Sequence, residues 1–175
     1  VFENVYDPSE LGAVVVKGIS LKPRTGNPSP RMAETPCGML NSIGLENVGL
    51  EAFLEKKLPW LRKKNATVVV NVFGETMDEY VELCKSLSAQ KGVHALELNV
   101  SCPNVKAGGI MFGSDPESAA GLVKKARKAT GLPLWVKLSP NAGDVTAIAL
   151  AVEKAGADAV VLINTLKGMA IDPER

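Results

Sequence analysis

Three observations place this chain in the α/β class. Short runs rich in Val, Ile and Leu alternate with longer amphipathic stretches, acidic residues gather where those stretches begin, and each apolar run carries a lone amide or ammonium near its C-terminal end. Strands alternating with helices need crossover connections, and so a parallel sheet. The strand-like runs fall at about 13–19, 67–73, 95–101, 134–138 and 159–164, all too short for helices. The helical stretches fall at about 49–64, 76–89, 115–130 and 144–155.

The helix ends are signalled locally. Thr76 precedes Asp78 and Glu79, Asp115 is followed by Pro116 and Glu117, and Asp144 opens the last stretch, where oxygen side chains cap free N–H groups and negative charge suits the helix dipole. Gly131 and Gly156 follow their helices, where a left-handed residue is favoured.

These amide and ammonium side chains of the strands are Lys17, Asn71, Asn99, Lys137 and Asn164. One such group could be a satisfied core residue; one in each strand, at equivalent places, predicts a shared site at the C-terminal rim of a (β/α)8 barrel, where barrel enzymes assemble their active centres. No GxGxxG or GxxxxGK[ST] segment follows any strand, which argues against a nucleotide-binding open sheet. A full eight-unit barrel takes about 250 residues, so five strands in 175 residues predict an incomplete one, as a single domain over 1–175. The chain starts at Val1 and stops at Asp172-Pro173-Glu174-Arg175 just after a strand-like run, which reads as a piece of a longer protein.

Composition excludes several function classes. A net charge of +1 predicts no strong attraction to nucleic acid or acidic membranes, and the basic cluster Lys56, Lys57, Arg62, Lys63 and Lys64 reads as a solvated helix end. No apolar stretch approaches the roughly 18 residues of a membrane span, and no leader pattern opens the sequence. The three cysteines, Cys37, Cys84 and Cys102, are too scattered for a disulfide framework or a zinc site; no metal is expected, and a reducing, cytoplasmic setting is the default. With 5% aromatic residues, the core must come from aliphatic side chains.

Two segments break the alternation. Residues 22–47 hold Pro23, Gly26, Pro28, Pro30, Pro36 and Gly38 and predict a long loop with little regular structure, best read as a cover over substrate. The run 95–100 alternates Leu96, Leu98 and Val100 with Glu97 and Asn99, placing the two sets on opposite faces, and then opens into Ser101-Cys102-Pro103-Asn104. A thiol at such a strand end is a candidate base or nucleophile, because its proton is among the easier ones to remove near neutrality.

With these segments in view, the chain resembles the dihydroorotate dehydrogenases, flavin enzymes of pyrimidine synthesis. The resemblance is carried by Val16-Lys17-Gly18-Ile19-Ser20-Leu21-Lys22-Pro23-Arg24, Asn41-Ser42-Ile43-Gly44-Leu45, Asn71-Val72-Phe73-Gly74, Glu97 through Asn104, Val136-Lys137-Leu138-Ser139-Pro140 and Ile163-Asn164-Thr165, in the family's order. The stretches Leu21 to Asn27 and Asn164 to Asp172 look most like the NAD-linked type B branch of class 1. The resemblance implies a (β/α)8 barrel with FMN at its C-terminal mouth, of which about strands 2 to 6 are present here. It implies Cys102 as the catalytic base, since class 1 uses cysteine where the quinone-linked class uses serine. It further implies substrate contacts from Lys17, Asn41, Ser42, Ile43, Gly44, Leu45, Asn99, Asn104, Asn164 and Thr165. Flavin contacts are implied for Lys17, Gly18, Asn71, Asn99, Lys137 and Ile163. The partners it implies are a second copy of the chain in a homodimeric core and an electron-transfer subunit carrying FAD and an iron–sulfur cluster, together a heterotetramer that passes electrons to NAD.

Asparagine suits such a substrate, because a dihydropyrimidine alternates C=O and N–H along its edge and one amide matches both without adding charge. His94 is expected at the surface and Cys84 in the core. The alternatives are a dihydropyrimidine dehydrogenase-type flavin enzyme, and a non-catalytic barrel fragment.

Overall fold

The computed structural model of the protein describes residues 5–101 and 112–171. Five strands, β1 (Val14–Val15), β4 (Val68–Val72), β5 (Ala95–Asn99), β6 (Leu134–Lys137) and β7 (Ala159–Val161), form a curled parallel sheet in that order. Helices α3 (Met77–Ser88), α4 (Pro116–Ala129) and α5 (Val145–Lys154) cross over between β4, β5, β6 and β7. This is part of a (β/α)8 barrel, as the sequence predicts.

Register divides every strand into two faces. Val70, Leu96 and Leu134 align in one row, and Val72, Leu98, Val136 and Val160 in the next. All but Val160 are fully buried against Leu83 and Leu87 of α3, Leu122 and Val123 of α4 and Ile148 and Val152 of α5. Each such side chain contributes about 1.5–3 kcal/mol by leaving water, so this aliphatic layer holds sheet to helices. The other face carries the rows Asn71, Glu97, Trp135, Ala159 and Asn99, Lys137, Val161, turned toward the barrel interior. A parallel strand with one polar face is thereby explained: that face lines a cavity rather than bulk solvent.

The caps form as expected. Thr76 accepts from the backbone N–H of Glu79 at 3.3 Å, Asp115 from that of Ser118 at 2.8 Å and Asp144 from that of Ala147 at 3.0 Å. Gly156 takes the left-handed conformation, with φ of +105°. Gly131 does not: α4 ends on an extended Thr130, and Arg127 caps it instead by donating to the carbonyls of Thr130 at 2.6 Å and Leu132 at 2.7 Å.

Residues 22–47 are more ordered than the sequence suggests. They contain an antiparallel hairpin, β2 (Met32–Thr35) with β3 (Gly38–Asn41), turning through Pro36 and Cys37. Both strands are mostly exposed, so no buried face imposed an alternating pattern on the sequence. The stretch 49–64 is likewise not one helix. It divides into α1 (Gly49–Ala52), a π segment (Phe53–Lys57) and α2 (Leu58–Lys63). The N–H of Leu58 reaches back five residues to the carbonyl of Phe53, and Pro59, which has no N–H to give, widens the turn there.

The first and last sheet strands are shorter than the apolar runs. Beyond Val15, which faces Val69, the chain bonds again where Ile19 bridges Val72, so four residues oppose three. Lys17 and Gly18 absorb the extra residue as a bulge. Beyond Val161 the chain leaves the ladder, although Asn164 still donates its N–H to the Leu138 carbonyl at 3.1 Å.

Candidate active site

The strand ends and the hairpin together enclose one cavity of about 1130 Å³. That lies just above the usual range for small-molecule sites, about 300–1,000 Å³, and leaves room for two planar molecules. All five lone polar residues, Lys17, Asn71, Asn99, Lys137 and Asn164, line it, as do Gly18, Thr165 and the segment from Asn41 to Leu45. Ile163 does not; it is 43% exposed at the open edge of the sheet, past the end of β7. Cys102 and Asn104 lie outside the described residues.

The floor of the cavity is polar. Asn71 and Glu97 are side by side in register and both buried, and the Asn71 amide donates through Nδ2 to Glu97 Oε1. Gly18 lies against Asn71 and Phe73. A Cβ at that position would stand 2.7 Å from Asn71 Oδ1 and 3.2 Å from the Phe73 ring, so only glycine allows this approach. Lys17 is exposed into the cavity and Lys137 is half-buried in its wall. Neither ammonium has an ion-pair partner among the described residues. Two such cations, set in apolar strands, suit an anionic or electron-rich guest.

One wall is a knot of amides and hydroxyls. Asn99 Oδ1 accepts from Ser101 Oγ at 2.7 Å and from Asn164 Nδ2 at 3.0 Å, and Asn164 Nδ2 also donates to Ser101 Oγ. The Asn99 acceptor is thus committed, which leaves its Nδ2 as a donor to the cavity. Asn164 Oδ1 accepts the N–H of Thr165 at 2.7 Å. This network anchors Ser101, the last residue before Cys102. The Tyr80 hydroxyl holds the same strand end from below, donating to the Asn99 carbonyl at 2.7 Å.

The roof is the hairpin segment. Its base is tied by Asn47, which accepts the N–H groups of Ser20 and Gly49 and donates to Ser20 Oγ at 2.9 Å and the Leu45 carbonyl at 3.0 Å. Gly44 and Leu45 both have positive φ, turning this stretch into the cavity mouth. Arg31 pairs with Glu46 across the loop, and Arg24 pairs with Glu75 at 2.6 Å while lying over the Phe73 ring. Asn141 clamps the opposite lip, donating to the Thr165 carbonyl and accepting from the Lys167 N–H, each at 3.1 Å.

Several residues carry no individual sequence signal: Glu97, Ser101, Ser139 and Asn141 in the cavity lining, and Asn47 at the base of its roof. Glu97 and Ser101 stand on the polar face of the alternating run, and alternation alone fits a cavity and bulk solvent equally well. Among the described residues no cluster of His, Cys, Asp or Glu could hold a metal, and no helix is long and apolar enough to cross a membrane. His94 is exposed, and its Nδ1 accepts the N–H of Val68 at 2.9 Å, a strand-start contact remote from the cavity lining.

Comparison with known proteins gives a consistent picture. The family model described as dihydroorotate dehydrogenase matches residues 1–175. The catalytic subunit of dihydroorotate dehydrogenase B (NAD(+)) from Trichlorobacter lovleyi is 58% identical over 174 residues, 99% of this chain and 57% of that protein. Its counterpart in Pelobacter propionicus is 56% identical over 98% of this chain and 56% of that protein. That of Bacillus pumilus is 52% identical over 98% of this chain and 55% of that protein. The chain thus spans a little over half the length of the curated relatives it matches. With a match that runs from the first residue to the last, on a sheet whose polar face was expected to form a rim site, the chain belongs to the dihydroorotate dehydrogenase family.

Proposed function

We propose that the protein to which these residues belong oxidises dihydroorotate to orotate in pyrimidine synthesis, with FMN in the cavity and NAD as the final acceptor through a partner subunit. The observation that carries this reading is the convergence of five strand-end polar residues on one cavity. The cavity fits FMN on its own chemistry. Gly18 gives a flat guest access to the strand ends, and Lys17 and Lys137 offer positive charge where a reduced flavin ring gathers negative charge. FMN, when bound, supplies the acceptor for the two electrons that leave the substrate.

The protein's own groups do the rest. Asn41, Asn99, Asn104, Asn164 and Thr165 hold the alternating donors and acceptors of the pyrimidine edge, and backbone N–H groups from Ser42 to Leu45 receive the carboxylate. Cys102 takes the proton from the carbon beside a carbonyl. In sequence it directly follows Ser101, whose hydroxyl donates to Asn99 and accepts from Asn164. The finer expectations belong to the same reading: a homodimeric core, a second subunit bearing FAD and an iron–sulfur cluster, and a cytoplasmic location.

The test uses the full-length protein. Purified with flavin, it should form orotate, and Cys102→Ala should abolish turnover while still binding orotate. Because an ordinary thiol, with a pKa of about 8.5, is only a few per cent ionised at neutrality, the wild-type rate should climb with pH. Substantial alkaline activity in Cys102→Ala would remove Cys102 from the mechanism. Tighter binding of uracil than of orotate would move the substrate to a dihydropyrimidine without a carboxylate, and protein free of flavin would favour a non-catalytic barrel.

A further inference from the structure

Glu97 has no part in the chemistry above, yet it is 1% exposed, faces the barrel interior and accepts the Asn71 amide at the cavity floor. An asparagine amide can face either way, and its two ends are opposite in hydrogen-bonding character. The neighbouring carboxyl removes the choice: Asn71 presents Nδ2 to Glu97 Oε1, which accepts. Oδ1 is then turned toward Gly18, where it accepts no hydrogen bond among the described residues and meets the space a Cβ would fill. We propose that Glu97 is a positioning residue that fixes Asn71 as a hydrogen-bond acceptor toward the cofactor, and so selects the donor on its ring.

This rests on the FMN reading of the cavity. The pyrimidine edge of an oxidised flavin offers C2=O, N3–H and C4=O, in which N3–H is the one donor. An Asn71 locked with Oδ1 outward can pair only with that donor. The opposite amide orientation would address a carbonyl and would tolerate a flavin that has lost the N3 hydrogen. Placing Glu97 behind Asn71 therefore sets which edge atom the floor recognises, while Gly18 lets that atom approach.

The experiment compares FMN with 3-methyl-FMN on the full-length apoprotein, reading the ratio of their dissociation constants by flavin fluorescence. The variants are Glu97→Gln, Asn71→Asp and the double variant Asn71→Asp/Glu97→Gln. Wild type should prefer FMN. Glu97→Gln frees the Asn71 amide to turn, and the preference should fall about two- to tenfold, the range for one hydrogen bond. In the double variant, the introduced glutamine amide can donate to the introduced aspartate, whose other oxygen then faces outward. The preference should there return toward wild type and exceed that of either single variant. A purely structural role would weaken both flavins alike and leave the ratio unmoved, an outcome that overturns the proposal. If the variants do not fold, wild type loaded with FMN labelled by 15N at N3 decides: slow exchange of the N3–H proton supports the contact, and free exchange rejects it. Wild type that binds neither flavin would instead overturn the FMN reading itself.

Discussion

At the scale of single residues, burial and access separate side chains of the same type. Cys84 sits on the inward face of α3 with Tyr80, Leu83 and Leu87, and burial pushes its thiol up to about 12. Cys37, at the hairpin turn, is exposed. Treating the native full-length protein with iodoacetamide at pH 8 should modify Cys37 and leave Cys84 untouched until denaturant is added, as peptide mass spectrometry would read. The sign of the linkage follows. Cys84 is kept neutral by the fold, so its contribution to stability is complete below its ordinary value of 9.0 and is lost as pH rises from there toward 12. Gly18→Ala should be equally selective. Its Cβ meets Asn71 Oδ1 and the Phe73 ring, so flavin retention should fall well below that of wild type while the melting temperature moves little; unchanged retention would show the strand end yields freely. Lys17, Asn71, Asn99, Lys137 and Asn164 were legible in the sequence because each interrupts an apolar run. Glu97 was not, because a carboxylate in an alternating strand reads equally well as solvent-facing. Only the inward curl of the neighbouring strands decides the matter, and that is a non-local fact.

At the scale of elements, helix starts are the most legible features and irregular connections the least. A cap is a contact within three residues, so Thr76, Asp115 and Asp144 could be identified from sequence alone, and all three accept the expected N–H. Thr76→Ala should cost about 1 kcal/mol of stability, as N-cap truncations do, measured by denaturant unfolding. Asp115 allows a sharper test. The N–H and hydroxyl groups of Ser118 hold its carboxylate below the usual 3.8. A depressed folded value means the stabilisation is present in full above pH 3.8 and is lost as pH falls through the lowered value. Asp115→Asn caps without titrating, so wild type should lose more stability than this variant between pH 5 and pH 2.5; parallel losses would show that the cap is silent. The hairpin of β2 and β3 and the π segment escaped the sequence reading for different reasons. The hairpin buries neither strand, and its order comes from contacts distant in sequence, such as Arg31 with Glu46 and Asn47 with Ser20. The π segment keeps the apolar spacing of an ordinary helix, and Pro59 is tolerated at a helix start, so the widened turn before it leaves no mark in the pattern.

At the scale of the whole molecule, the sheet has two free edges among the described residues. There β1 pairs only with β4 and β7 only with β6, whereas a barrel closes its edges on each other. In the segment that follows β7 the apolar side chains Leu162, Ile163, Leu166, Met169 and Ile171 are exposed, Met169 by 82%. Open strand edges and contiguous apolar surface both invite pairing with other chains. Relatives of the chain are longer, with this sequence covering 57% of the Trichlorobacter protein, and the five strands here fall short of the eight that close a barrel. Barrel enzymes commonly hold phosphate with the loops after their seventh and eighth strands, and among the described residues the cavity lining comes from the strand ends, the hairpin segment and the stretches that follow β6 and β7. Residues 1–175 expressed alone should therefore bind FMN far more weakly than the full-length protein, and should self-associate through the β7 edge. Fluorescence titration and light scattering after size exclusion would measure the two. Replacing Leu162 and Met169 by lysine, neither of which lines the cavity, should return the short chain to a monomer without restoring flavin affinity, since the apolar edge and the phosphate anchor are separate deficits. Tight, stoichiometric FMN binding by residues 1–175 would mean that the five strand ends hold the cofactor unaided, and that the open edge costs the site nothing.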